Sequence, residues 1–557
     1  MPQFPNRSRI ALVAAYACLF AFLGSFELLS ADPPAIKSPC SKDLPPQLFS
    51  RWPEGKKPDM VLFLSGEQHS YLKFCGCSDP QYGGFERRYN FLMKLKEKGW
   101  PVVAMDLGDI VKEKYESRSN TVSIRPQTIL KYVTSMKELN LLGYTAVGVG
   151  PNDFNLPLID PLFAYFQLQA NPSQHILAAN LLDRENLFPA LNGRPAMLED
   201  SAIVPGQNGA PTVGSFSVMT PAIRNGTPIS AGLDDKTLKF ADNQNVIPDV
   251  LKKFDSQKVD LRVLLLQGLP NEAEAVAKAF PKLDVILCRS LEEEPPQMPK
   301  MVGNTMIVNV GWRARFIGVV GAFRKADGTG FDLHYELVKM TPELETDKDK
   351  EQGHPVVEVL QEYAQKVKDD ELMYKYPRGP HPLQTQFPQA SVAFIGSDKC
   401  KMCHEQDGVW AKYKKTAHFH AYETLVKKAV KPTLRQYDGE CIVCHAVGFL
   451  NNTGFVDEKK TPHLENVGCE SCHGPGSLHA SNPNNMAYRA ALNPWRKNPG
   501  DRLHTNGKYD QNIMLLVDQM CQKCHDVDND NKFKFERNWP KIDHTRRGQG
   551  PPPAPKE

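Results

Sequence analysis

Past Phe26 the chain has no apolar run long enough to cross a bilayer, so the only spanning candidate lies at the start. A charge excess of one sign is also missing. Lys and Arg number 67 against 64 Asp and Glu, and a net charge of +3 gives no grounds for a nucleic-acid partner. Apolar runs and strand texture almost vanish beyond residue 388, which leaves the last third without material for a large side-chain core. What this part has instead is Cys, His and Lys.

At the N-terminus, Arg7 and Arg9 precede an apolar run, Ile10 to Phe26, and then a short stretch ending in Ser30 and Ala31. That order is a secretory signal peptide over 1–31, with an uncleaved anchor as the alternative. The expected location is the periplasm, with no membrane span in the mature form unless the segment is retained. Residues 32–57 are Pro-rich and read as a linker.

From 58 to 345, short apolar runs alternate with amphipathic stretches. MVLFLS (60–65), PVVAMDLGD (101–109), TAVGVG (145–150), HILAANLL (175–182), LRVLLLQG (261–268), DVILCRS (284–290), TMIVNV (305–310) and RFIGVVGAF (315–323) read as strands. Stretches 89–99 and 126–142 read as helices, which argues for an α/β domain with a parallel or mixed sheet. Gly-, Pro- and Ser-rich 195–245 reads as loops with edge strands. Residues 355–376 read as one amphipathic helix and 377–388 as an interdomain linker, so 346–390 is helix and linker. A mostly α, haem-cored domain over 391–545 and a disordered tail at 546–557 complete the division.

Four Cys-x-x-Cys-His motifs stand in the C-terminal part: Cys400, Cys403 and His404; Cys441, Cys444 and His445; Cys469, Cys472 and His473; Cys521, Cys524 and His525. Two thiols three apart match the two vinyl groups of haem, and the adjacent His is placed as proximal iron ligand. The expected cofactors are four covalently attached haem c groups. Zinc knuckles and redox dithiols are disfavoured by the His fixed after every pair. Distal candidates are His418, His420, His463, His479, His504 and His544, whereas His354 and His381 lie in the connector.

The stretch 395–425, with Trp410 and the Thr416-Ala417-His418 step, resembles the opening haem segment of the cytochrome c-554 family. VGCESCHGPGSLHA (467–480) and FKFERNWPKIDH (533–544) resemble two further segments of it. The resemblance implies distal ligation by His418, His479 and His544. It also implies three bis-His haems with one open haem, although His420, His463 or His504 could supply a fourth ligand. Which distal His serves which haem stays open.

Residues 58–340 resemble 5′-nucleotidase-like metallophosphoesterases, on GGFERR (83–88), VVAMDLGD and LGYTAVGVGPNDF (142–154). The resemblance implies a layered β-sandwich with helices and a two-metal site, and that site is eroded. Glu67 replaces an Asp, and His69 and Asp109 are kept. Pro151 and Asn152 replace the ligand Asn and the catalytic His. Gln267 replaces a ligand His, and Arg289 and Ser290 occupy the last His motif. Three ligands cannot hold two metals in open geometry. The expectation is a scaffold that lost its metals, with a vestigial or soft-metal site at Glu67, His69, Cys75, Cys77 and Asp109 as the alternative. Disulfides among Cys40, Cys75, Cys77 and Cys288 are the blander reading.

The functional expectation is electron transfer between redox partner proteins. The alternatives are an oxidoreductase acting on a small nitrogen compound at an open haem, and a phosphoester hydrolase fused to a cytochrome.

Overall fold

The structure, a computed structural model, describes residues 37–74, 81–112, 124–169, 172–183, 197–221, 238–429, 432–495, 504–505, 508–526, 529–530 and 532–544. The signal segment, the tail, and Cys75 with Cys77 lie outside them. Among the described residues no helix is long and apolar enough to cross a membrane.

Alternation along the strands builds four layers. The first sheet has the order β14-β13-β1-β2-β3-β4. Its strands are β1 (Met60–Ser65), β2 (Val102–Asp106), β3 (Tyr144–Gly148), β4 (His175–Leu177), β13 (Phe316–Arg324) and β14 (Phe331–Lys339). Strands β1 to β4 pair in parallel, and β13 joins β1 antiparallel. The second sheet runs β11-β12-β10-β9-β7-β6. It contains β6 (Ser201–Val204), β7 (Val213–Met219), β9 (Leu261–Gln267), β10 (Val285–Cys288), β11 (Lys300–Val302) and β12 (Thr305–Val308). β5 (Leu181–Asp183) and β8 (Leu238–Phe240) form a separate ribbon.

Leu62, Leu64 and Met105 meet Val263, Leu265 and Leu287 between the sheets. The alternate residues Val61 and Phe63 face α1 (Phe85–Glu97) and α2 (Arg125–Leu141), followed in the chain by α3 (Ile159–Leu168). Leu264, Leu266 and Ile286 face α4 (Asn243–Ser256) and α5 (Pro270–Ala279). Both faces of each sheet are covered, which is why the strands read as near-continuous apolar runs.

Several expectations need correction. The stretch 195–245 contains β7, fully buried between β6 and β9 rather than an edge strand. HILAANLL is split into β4 and β5. The helix of 355–376 ends at Asp369, giving α6 (Pro355–Asp369) and a separate 3-10 turn, Leu372–Lys375. The two stretches read as linkers are packed. In the first, Cys40 is fully buried and Trp52 stacks on Trp100 at 5.3 Å. In the second, Arg378 donates to the Phe455 carbonyl at 2.7 Å, and Gly379 forms backbone bonds with Leu450 and Asn452. Cys40 and Cys288 are free buried thiols, so neither closes a disulfide.

Residues 37–557 form one unit. The core under α1 and α2 continues through Leu360 and Tyr363 of α6 into Ile442, Phe449 and Phe455 of the C-terminal part. At this seam sits a buried polar network. Gln127 of α2 donates to Tyr363 Oη at 2.9 Å and to Asp438 at 2.8 Å, and it accepts from Tyr376 Oη at 2.8 Å. Asp438 in turn caps the helix Gly439–His445 by accepting from Glu440 N at 2.9 Å. Beside it Lys131 pairs with Glu440. Burial works against the Lys131 ammonium, but Glu440 and Asp438 hold its pKa above the ordinary value.

Gly439 has no room for a side chain, because a Cβ there would lie 2.4 Å from the Tyr376 ring. That ring is buried and tied to Gln127. Gly439→Ala should therefore cost about 1–3 kcal/mol, read as a lower thermal midpoint of the full chain.

Candidate haem cavity and relict carboxylate site

Each of the first three motifs forms a helix: α7 (Ser397–His404), α8 (Gly439–His445) and α9 (Cys469–His473). The fourth begins at the last residue of α10 (Gln511–Cys521). Helical spacing of three and four puts both thiols and the His of a motif on one side. All twelve motif Cys and His residues line one cavity of about 1720 Å³. A single-ligand pocket typically has about 300–1,000 Å³, so this one has room for several groups.

The motif histidines are oriented alike. Nδ1 of His404 bonds Asp407 at 2.9 Å, and that of His525 bonds Asp530 at 2.9 Å. Nδ1 of His445 donates to the Ala421 carbonyl at 2.6 Å, and that of His473 to the Leu492 carbonyl at 2.7 Å. Nε2 is thereby left as the ligating nitrogen, an orientation typical of metal-bound His. Burial holds the pKa of both His473 and His418 down to about 4, which keeps them neutral at pH 7, the form that ligates.

Three motif histidines face a second His across the cavity. Ring centroids are 6.4 Å apart for His404 and His479, 5.9 Å for His418 and His525, and 5.9 Å for His473 and His544. An iron between two imidazoles needs about 6 Å, from two metal–nitrogen bonds of about 2 Å plus the offset of each ring centre. Buried His479 Nδ1, Trp495 Nε1 and Trp539 Nε1 have no partner and belong to residues lining the cavity. The donor set fits covalent haem c. Among the described residues no ring contact pairs His445 with another histidine. His420 is exposed and bonded to Glu423 at 2.9 Å, and His463 is exposed. The His504 side chain lies outside the described residues.

Thiols of different motifs also meet. Cys400 shares a hydrogen bond with Cys469, and Cys524 with Cys444. Burial, with Cys524 and Cys469 beside it, pushes the Cys472 thiol up to about 12. The motifs are thus adjacent in the order first, third, fourth, second. The Asp partners of His404 and His525, three and five residues downstream, went unread in the sequence, although their spacing was visible.

The eroded site lies where parallel strands end. Glu67 and His69 follow β1, Asp109 follows β2, Asn152 follows β3, Gln267 ends β9, and Arg289 follows β10. Glu67, His69 and Asp109 offer ligand atoms within 4.8 Å of one another, all buried. However, Arg289 Nη1 lies 2.7 Å from Asp109 Oδ2, and its Nη2 lies 3.6 Å from Glu67 Oε1. Asp109 also accepts from His69 Nε2 at 3.1 Å and from Asn152 N and Nδ2 at 2.7 and 2.9 Å. Glu67 Oε2 accepts from Ser290 N at 2.7 Å. A guanidinium and amide donors hold Asp109 and Glu67 Oε2, while buried Glu67 Oε1 has no hydrogen-bond partner; with a cation lodged beside only three ligands, this donor set does not fit a metal pair. Glu67, His69, Ser70, Asp109, Arg313 and Ala314 all have positive φ, between 48° and 62°. Such strain survives only where surroundings over-determine it.

Residues 399–474 match the family model of cytochrome c554 and c-prime. The cytochrome c-554 of Nitrosomonas europaea is 32% identical over 146 residues, which is 24% of this chain and 59% of that protein. The chain thus spans about three-fifths of the length of this cytochrome c-554 relative. Similar solved structures include a 5′-nucleotidase precursor from Thermus thermophilus, at TM-score 0.43 and 18% identity, covering 56% of this chain and 59% of that one. A sulfate thiohydrolase SoxB from the same organism has TM-score 0.43 and 14% identity, covering 63% and 70%. The α/β assignment itself rests on the strand order and layers above.

Two outcomes follow from the charges. Arg289→Ala breaks a buried ion pair, which costs about 3–5 kcal/mol, and should create Zn²⁺-dependent stabilisation that the wild type lacks, read by thermal shift with and without Zn²⁺. Burial, eased by Arg289, raises the Glu67 pKa to about 7. The folded state therefore holds a proton that the unfolded chain releases near pH 4.5, and stability from this group falls as pH rises from there to 7. Glu67→Gln should gain on the wild type over that range, read by denaturant titrations at about pH 5 and about pH 7.5.

Proposed function

We infer that this chain is an exported tetrahaem c-type cytochrome that carries electrons between redox partners, with the α/β part as an inactive phosphoesterase-like scaffold. The observation that carries this reading is the set of three facing His pairs beside four attachment motifs in one cavity. Each motif would attach one haem, and haem supplies one-electron chemistry when bound. His404 would pair with His479, His525 with His418 and His473 with His544. His445, with no facing His among the described residues, would leave an open sixth position. The motif adjacency supports a wire with the open haem at one end and the first motif at the other, where Cys403 and Met402 are exposed.

Export to the periplasm rests on the signal-type segment 1–31. The scaffold reading rests on Arg289 among the carboxylates. A second reading, an oxidoreductase acting on a small nitrogen compound, is favoured only by His445, which faces no second imidazole among the described residues.

Haem-loaded protein should give four haems per chain by pyridine haemochrome, and low-temperature EPR should give three low-spin signals and one high-spin signal. His479→Ala should convert one low-spin signal to high-spin with all four haems still attached. A haem count other than four, or unchanged spectra in that variant, would remove the assignment.

A further inference from the structure

The four motif histidines differ in what holds Nδ1. For His404 and His525 the partner is a carboxylate, that of Asp407 or Asp530, at 2.9 Å in both cases. For His445 and His473 it is a main-chain carbonyl, that of Ala421 or Leu492. Local sequence enforces this difference. An Asp stands three residues after His404 and five after His525, whereas the next acidic residue is Asp457 after His445 and Asp501 after His473. Both carboxylates are fixed in place. Asp407 Oδ1 accepts from Val409 N at 3.1 Å, which leaves Oδ2 for His404. Asp530 sits in a turn, donating its N–H to the Asp526 carbonyl at 2.7 Å and accepting from Phe533 N at 2.9 Å. The Phe533 ring stacks on His525 at 4.6 Å, so this imidazole is held on its face as well as at its Nδ1 edge. The facing histidines have no such carboxylate. Nδ1 of His544 bonds the Ile542 carbonyl at 3.1 Å, buried Nδ1 of His479 has no partner, and among the described residues no carboxylate bonds His418. A carboxylate draws the Nδ1 proton harder than an amide carbonyl does. The ring then gives more electron density through Nε2, which favours ferric over ferrous iron and lowers the reduction potential.

We propose that Asp407 and Asp530 are positioning residues that act through His404 and His525 to lower the reduction potentials of the haems of the first and fourth motifs. The proposal rests on the reading of one haem per motif given above, and it does not depend on an open sixth position. Along the adjacency first, third, fourth, second, the partner type alternates between carboxylate and carbonyl, so neighbouring haems receive unlike ligand fields. Glu440 and Glu470 belong to the second and third motif helices, but neither bonds a motif histidine. Glu440 pairs with Lys131, and Glu470 accepts from the main-chain N–H groups of Ile395, Gly396 and Gly476. Their charges act through space and are the same in every variant below, so a change at one haem reports the Asp alone.

The test uses full-length, haem-loaded protein in a reductive titration followed optically and by EPR. Asp530→Asn keeps an acceptor oxygen and removes the carboxylate, which gives His525 the kind of partner that His445 and His473 have. It should raise the ferrous-to-ferric ratio of one haem about tenfold at a fixed potential, a shift of about 59 mV for one electron. Asp407→Asn should do the same to a different haem. In each variant one low-spin EPR signal should change its g values and stay low-spin, with the haem count unchanged. Asp398→Asn removes an exposed carboxylate of α7 that bonds no histidine, and it should leave every haem within about twofold. A wild type without four haems overturns the reading on which the proposal rests. Four haems, with neither Asn variant moving any of them by more than about twofold or with Asp398→Asn moving one as far, overturn the proposal and leave the haem assignment intact. If one Asn variant loses its haem, the other decides. Loss of haem from both would assign the carboxylates to attachment and overturn the tuning.

Discussion

The position of the second haem motif depends on one buried contact, the Gln127 amide shared between Asp438, Tyr363 and Tyr376. Helix α8 has seven residues, too few to be stable alone in water. Its N-terminus is fixed by Asp438, and Asp438 is fixed by side chains from α2 and α6. The Lys131–Glu440 pair adds a second tie beside it. A buried ion pair is a weak source of net stability, but an unpaired member would be costly. The network therefore sets orientation more than it adds free energy. It decides which motif faces the α/β part, and it leaves His445 bonded to the Ala421 carbonyl with no second imidazole in front of it among the described residues.

The relict site follows the same electrostatic logic with a different outcome. Two buried carboxylates need a positive charge, and a phosphoesterase would supply it with metals. Here the guanidinium of Arg289 supplies it; Asn152 donates to Asp109 and the Ser290 amide to Glu67 Oε2, while Glu67 Oε1 keeps no hydrogen-bond partner. Burial opposes ionisation of Asp109, but Arg289 and His69 hold its pKa below the carboxylate range. Glu67, farther from the guanidinium, moves the other way.

Much of the α/β part was legible because buried parallel strands write themselves as apolar runs; β1 appears with the bounds its sequence implied. β7 was missed because Gly, Pro and Ser on both sides of VGSFSVM mask a strand whose small residues fit between two sheets. β14 was passed over although FDLHYELVK alternates, because it lies past the last continuous apolar run. The Pro-rich stretches at 32–57 and 377–388 read as linkers because composition reports flexibility and not what lies opposite; Trp52 and Arg378 find partners far away in the chain. The motif histidines were plain from local spacing. Their partners were not, because His404 and His479 or His418 and His525 are brought together only by tertiary packing. Arg289 was visible in the sequence, but its place beside Asp109 and Glu67 needed the geometry.

The seam has a consequence for how the two parts can change. Asp438, Gly439 and Glu440 directly precede the second haem motif, yet their shape and charge are matched to Gln127, Tyr376 and Lys131, all of them upstream in the chain. A C-terminal part with other residues at those positions would leave Gln127 and Lys131 without these partners. The fusion is therefore not a pair of exchangeable modules. At this seam each part constrains the mutations open to the other.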